Sequence, residues 1–165
     1  MLATDVALPR PMNPGAGQAP RRAHRSRVLR GGCLCGAIEY RLTSDLKYAG
    51  YCHCEDCQRG SGSIFAAFGG VSRSQFTVKR GAKRIRRYVK DADNIICFCA
   101  TCGSRLFVIR PNEDMVHIGL GSLRDRQALT PQFHAFVRDK ALWYQIIDAL
   151  PQFYHGPQIL ACERG

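Results

Sequence analysis

No stretch of this 165-residue chain approaches the roughly 20 consecutive apolar residues of a membrane-spanning helix, which excludes an integral helical membrane protein. The N-terminus has none of the compact apolar core of a secretory signal, so the expectation is a cytoplasmic protein with its thiols held reduced. There is no repeat of solenoid type. Acids are scarce: 13 Asp and Glu stand against 24 Lys and Arg, for a net charge of +11. The length leaves room for one domain and little more. A domain with 45% hydrophobic residues buries enough surface not to need cysteines as staples, which excludes the small disulfide-knotted class. Cysteine is nonetheless abundant, at nine residues.

The charge is unevenly placed. Residues 1–30 hold Arg10, Arg21, Arg22, Arg25, Arg27 and Arg30 against the single acid Asp5, together with Pro9, Pro11, Pro14 and Pro20 and no aromatic residue. Such a composition cannot bury enough apolar surface to offset the entropy of ordering, so residues 1–30 read as a disordered basic arm and 31–165 as the domain. The arm suits contact with the phosphates of a nucleic acid, or it is only a solvated extension, which is the plainer reading.

From Gly31 the texture changes to short β-like runs between turn signals. Strands are expected at Ala37–Leu42, at Ile64–Phe68 ended by Gly69-Gly70, around Phe76 and Val78, and around Ile85 and Val89. More are expected at Ile95–Cys99, Leu106–Ile109, Met115–Leu120 and Gln132–Val137. Leu123–Leu129 reads as one or two helical turns, and Leu142–Leu150 fits helix and strand equally. Many short strands at close spacing indicate an all-β domain of antiparallel sheets.

Eight of the nine cysteines fall into three tight groups: Cys33-x-Cys35, Cys52-x-Cys54-x-x-Cys57 and Cys97-x-Cys99-x-x-Cys102. Disulfides across such short spacings are strained. Redox Cys-x-x-Cys motifs open a helix after a strand and do not come in sets. Metal binding remains. Two thiolates about 4 Å apart repel by about 4 kcal/mol at an effective dielectric of about 20, so three mutual pairs cost on the order of 12 kcal/mol without a cation. A divalent zinc removes that cost, with apparent binding energies of about 10–16 kcal/mol in structural sites. Four thiolates close a site, whereas three leave a position for water or substrate. Spacing alone leaves the partition open. One solution joins Cys33, Cys35, Cys99 and Cys102 and leaves Cys52, Cys54 and Cys57 as an open trio, but Cys97 fits either set or serves as a small buried hydrophobe. Cys162 reads as a free thiol.

GGCLCGAIEYRL at 31–42 and YCHCEDCQRGSGS at 51–63 resemble the first two signatures of the glutathione-dependent formaldehyde-activating family. FCATCGSRL at 98–106, HAFVRDKALW at 134–143 and LPQF at 150–153 are similar to later ones, so the resemblance runs over about 31–157. It implies a β-tent fold with two zinc ions per chain. One is structural, on Cys33, Cys35, Cys99 and Cys102; the other is of catalytic type, on Cys52, Cys54 and Cys57. It leaves Cys97 outside both. The basic arm departs from the family pattern and is similar to the tail joined to this domain in centromere protein V.

The implied activity is a carbon–sulfur lyase reaction joining glutathione, or another thiol, to formaldehyde. A zinc protein that binds glutathione or its adduct without catalysis is the alternative, and a nucleic-acid-associated zinc domain with a basic arm a further one. Around the second signature, Arg59 and the Gly60–Ser63 loop, with Ser61, are expected to receive a glutathione carboxylate. His134 and Lys140 are candidates to line the pocket, or are structural beside a Trp143 in the core. His53, whose side chain points away from its flanking thiols in an extended run, is a proton shuttle or a solvent-facing or hydrogen-bonded structural residue. Glu55 and Asp56 soften the local positive field or cap a turn.

Overall fold

The computed structural model describes residues 28–125 and 129–157. Most of the expected arm, part of the Leu123–Leu129 segment, and Cys162 lie outside the described residues.

Eleven short strands and one helix follow in order: β1 (Leu29–Gly32), β2 (Glu39–Leu42), β3 (Tyr48–Cys52), α1 (Glu55–Ser61), β4 (Ala66–Ser72), β5 (Phe76–Arg80), β6 (Ile85–Asp91), β7 (Asn94–Cys99), β8 (Arg105–Ile109), β9 (Met115–Gly119), β10 (His134–Ala135) and β11 (Gln152–Phe153). The fold is all-β, as expected. A three-stranded antiparallel sheet, β1-β2-β5, packs on an eight-stranded one ordered β11-β10-β3-β4-β9-β8-β7-β6. The large sheet is antiparallel except at one edge, where β10 runs parallel to both β3 and β11. Leu29 and Arg30, which composition groups with the arm, belong to β1, and Leu29 is fully buried.

Alternation dictates which face each strand buries. In β2, Tyr40 and Leu42 turn inward against Val71, Leu106, Phe107, Val116 and Ile118 of the large sheet. The Tyr40 ring meets Phe107 edge-on, and its hydroxyl bonds the Ser122 hydroxyl at 2.6 Å. A second cluster of Tyr48, Met115, Phe133 and Ala135 fills the space near the parallel edge.

Two sequence expectations are corrected, and one strand, β3, has no counterpart among the expected ones. Gly69-Gly70 does not end a strand but lies inside β4, because the Tyr48 ring lies over Gly70, where any Cβ would come within 2.4 Å of it. β3 escapes the alternation pattern because four of its five residues, on both faces, are buried. Leu142–Leu150 is neither helix nor strand, so nothing carries Trp143 inward; it is 79% exposed.

Adding a methyl group under the Tyr48 ring is predicted to cost about 1–3 kcal/mol, the range for overpacking. Urea unfolding of Gly70→Ala checks it, and a midpoint equal to wild type would refute the packing.

Candidate functional site

Two turns and two strand ends build the first cysteine set. Cys33 and Cys35 occupy the tight turn between β1 and β2, while Cys99 ends β7 and Cys102 stands in the turn into β8. Each turn finishes on a left-handed glycine, Gly36 at φ 74° and Gly103 at φ 72°, a conformation other residues adopt only with strain. The four Sγ atoms lie within 4.8 Å of one another, with Cys33 to Cys35 at 3.5 Å and Cys35 to Cys99 at 3.9 Å. Backbone amides face the sulfurs: Ile38 N–H donates to Cys33 at 3.1 Å and Thr101 N–H to Cys99 at 3.4 Å.

The second set is a trio at the junction of β3 and α1. Cys52 closes β3, Cys54 precedes the helix, and Cys57 lies one turn in. The helix forms here because Glu55 and Asp56 lie in its first turn and Arg59 in its last, each favourable to the helix dipole, with a Glu55–Arg59 ion pair one turn apart. The three Sγ atoms lie within 4.8 Å of one another, with Cys52 to Cys54 at 3.3 Å. Among the described residues no His, Asp, Glu or further Cys joins either set. Cys97 is fully buried in the core and belongs to neither.

These spacings fit a metal and not a disulfide. Tetrahedral thiolates on metal–sulfur bonds of about 2.3 Å stand about 3.8 Å apart, whereas bonded sulfurs stand about 2.05 Å apart. The proton chemistry agrees. Hydrogen bonds from the Cys52 and Cys57 thiols, with smaller help from the amides of Cys57 and Asp56, hold Cys54 down at about 2 against burial. The charge so held pushes Cys52 far above the ordinary thiol range. At Cys57 the Cys52 thiol favours ionisation, but Cys54 and burial outweigh it and the group rises to about 11. The bare trio thus accepts one negative charge and resists two more, and a bound cation relieves that resistance. In the four-cysteine set the Ser104 hydroxyl and amide bring Cys102 to about 5.

What separates the sets is access. A cleft of about 1110 Å³ runs between α1 and the large sheet, and Cys52, Cys54 and Cys57 all line it, while none of the other four does. A closed clasp and a cup open to a cleft are thus present in one domain.

The sequence profile of the family described as "Glutathione-dependent formaldehyde-activating enzyme" matches residues 28–139, which carry all seven of these cysteines. The chain belongs to this family. Named relatives include a "Putative glutathione-dependent formaldehyde-activating enzyme" of Halomonas elongata, 26% identical over 127 residues, covering 72% of this chain and 81% of that protein. One of the same name from Penicillium rubens is 30% identical over 115 residues, covering 66% of this chain but only 59% of its own length. A crystal structure of a Rhodobacter sphaeroides protein superposes with a TM-score of 0.50 at 22% identity, covering 74% of this chain and 98% of that one, a likeness of fold.

Within this formaldehyde-activating family member, the residues expected to receive substrate are dispersed. Ser61 lines the cleft, though its hydroxyl donates to the Cys57 carbonyl at 2.7 Å. Arg59 is exposed and pairs with Glu55. His134 is buried, and Lys140 donates to the carbonyls of Ala141 and Tyr144; neither lines the cleft. Asp56 pairs with Lys90 of β6, tying α1 to the sheet. His53 is not solvent-facing but fully buried. Its Nε2 lies 2.8 Å from His134 Nδ1, and His134 Nε2 lies 3.1 Å from the Asp148 carboxylate. Asp148 accepts from His134, which accepts in turn from His53, so the relay sets both tautomers and leaves His53 Nδ1 buried without a partner. Burial, then the neighbouring His134 and Lys140, holds the His53 pKa below the ordinary value.

Two groups in the cleft wall carried no signal in the sequence. Arg105 of β8 reaches under α1, and His117 of β9 is held between the Tyr48 hydroxyl at 3.2 Å and Glu113 at 3.1 Å, with Arg110 bonded to the same carboxylate at 2.8 Å. Only strand pairing across β4, β9 and β8 puts them there.

Metal analysis of freshly purified protein is expected to return about two divalent ions per chain, and Cys54→Ser about one, with unchanged circular dichroism. A single ion in the wild type would leave the cup without support. Burial, reinforced by Arg110 and opposed by Glu113, holds the His117 pKa below 6.5. The unfolded chain therefore binds more protons as pH falls below about 6.5, and stability declines there by up to about 1.4 kcal/mol per pH unit until the native histidine also titrates. Thermal unfolding of His117→Gln from about pH 7 to 5.5 should show a shallower decline than wild type; parallel curves would contradict this.

Proposed function

We propose that the cup carries a zinc ion and that the cleft in front of it takes a small thiol, glutathione by the family's name, for carbon–sulfur bond formation with formaldehyde. The observation that carries this reading is that three thiols, joined by no fourth ligand among the described residues, line the cleft, while the four-cysteine clasp lies away from it. In the reaction the thiol sulfur bonds to the aldehyde carbon, the carbon–oxygen π bond opens, and the proton lost by sulfur ends on oxygen. No electrons are gained or lost overall, so no redox partner is called for.

A thiol-bound zinc, when present, supplies a preference for the thiolate form of the incoming sulfur. That gain is bounded: a free thiol is already a few per cent ionised near neutrality, so full ionisation supplies at most about 30-fold, less the nucleophilicity lost with a lower pKa. The remaining acceleration has to come from holding aldehyde and sulfur together. The chain provides for this. Phe65, Phe68 and Phe136 give the cleft apolar walls, and Gln58 braces α1 by donating to the carbonyls of His53 and Asp139. The buried His53–His134 contact, together with the parallel pairing of β10 against β3, fixes the backbone between the first two cup thiols. The clasp is assigned the structural zinc.

Exchange between glutathione and its formaldehyde adduct, followed by NMR, is expected to run well above the spontaneous rate in wild type and at the spontaneous rate in Cys54→Ser. Equal exchange in both proteins would remove the case for catalysis. Saturable glutathione binding without any rate gain would instead make the domain a carrier.

A further inference from the structure

We infer that Arg105 is the residue that receives an anionic group of the thiol substrate, and that the cleft is therefore built for a thiol bearing a carboxylate rather than for an uncharged one. This rests on the reading of the cup as the thiol site.

Four cations line the cleft, and three of them are neutralised. Lys90 pairs with Asp56, Arg110 with Glu113, and Arg138 with Asp139. Arg105 has no acidic partner among the described residues, and its Nη1 is buried with no hydrogen-bond acceptor. A buried guanidinium N–H left unpaired is uncommon and calls for an explanation. The position is also built and not accidental. Arg105 extends from the start of β8 to the last turn of α1, the helix that carries Cys57. There Nη1 lies against Gly60 so closely that a Cβ at that position would sit 2.2 Å away. Glycine at 60 thus lets the guanidinium lie along the same wall as the cup. Its planar fork matches a carboxylate through two parallel N–H···O bonds, a geometry the point charge of a lysine lacks. Nη1 stays packed on Gly60 and fixes the guanidinium, and a ligand whose sulfur enters the cup can set its carboxylate against the part of Arg105 that lines the cleft.

The test uses the metal-loaded protein and calorimetric titration with glutathione and with its diethyl ester, which keeps the thiol and removes both carboxylate charges. Wild type is expected to prefer glutathione by about 10- to 100-fold, the range for a hydrogen bond to a charged group. Arg105→Gln should bind both ligands alike, with its affinity for the ester unchanged, and Arg105→Lys should recover only part of the preference. Gly60→Ala, which leaves Arg105 in the chain but pushes Nη1 away, should reduce the preference as well. Metal content and circular dichroism equal to wild type establish that the variants are folded. A preference that survives in Arg105→Gln, or a loss of equal size for both ligands, overturns the inference. Failure of the underlying reading looks different: Cys54→Ser would then bind glutathione and ester as tightly as wild type.

Discussion

Thiols resist being gathered, and this domain gathers them twice. Each thiolate added to a cluster meets repulsion worth several kcal/mol at the spacings seen here, and only a cation at the centre turns that cost into attraction. The clasp uses this to join what the chain alone holds loosely. Cys35 and Cys99 are 64 positions apart, and their approach pins the turn between β1 and β2 to the turn between β7 and β8. The small sheet is only three strands wide and, with Ile38 of its β1–β2 turn, contributes Leu29, Tyr40 and Leu42 to the shared core. A metal held by these four thiols would crosslink the small sheet to the large one at its rim.

The cup repeats the chemistry with a different surrounding, and the surrounding decides the role. In the clasp each Cys-x-Cys or Cys-x-x-Cys turn folds over the sulfurs and supplies amide donors, so the set closes on itself. In the trio the chain leaves directly as a helix after Cys54, and α1 sets Cys57 beside the other two thiols on one side of a cleft instead of folding a second turn over them. Behind the trio the small edge strands do the opposite job: the parallel pairing of His134 with Tyr51 and Ala135 with Cys52 buries the backbone that aims the sulfurs.

Much of this arrangement was legible in the cysteine spacing, because ligand groups one or two residues apart are local and survive in a linear reading. Three tight groups of cysteines follow from that spacing and the all-β class from the run of short segments, whereas the partition of seven sulfurs into four and three and the exclusion of Cys97 came only with the family resemblance. The histidine relay was not legible. His53 and His134 are 81 positions apart, and nothing in either neighbourhood announces a parallel edge strand of two residues. Gly69-Gly70 misled for a related reason: glycine pairs usually punctuate, but here they make room for the Tyr48 ring, a fact about packing across strands. Trp143 misled because an apolar residue in a signature segment suggests burial, while its segment has no regular element to turn it inward. Arg105 was hidden in plain view, one residue beyond the Cys-Gly-Ser turn, where its role depends on a glycine 45 positions earlier in the chain.

Three thiolates around a divalent cation sum to one net negative charge, and a fourth thiolate makes two. An incoming ligand that also carries carboxylates then meets repulsion from the cup it is to occupy, of about 3 kcal/mol for unit charges some 6 Å apart at an effective dielectric of about 20. A net charge of +11 over the whole chain does little against so local a field once salt screens it. A cation in the wall of the cleft is needed, and it must not already be neutralised. Lys90, Arg110 and Arg138 are each held by an acid, whereas Arg105 has no acidic partner among the described residues, packs on Gly60 and faces the Cys57 thiol, whose ionisation it favours. An arginine with no carboxylate partner offsets the negative cup and leaves its hydrogen-bonding fork for the anion that enters. On the proposed function, the crowded glycine and the arginine packed on it answer one constraint, the electrostatics of a negative cup that admits a negative ligand.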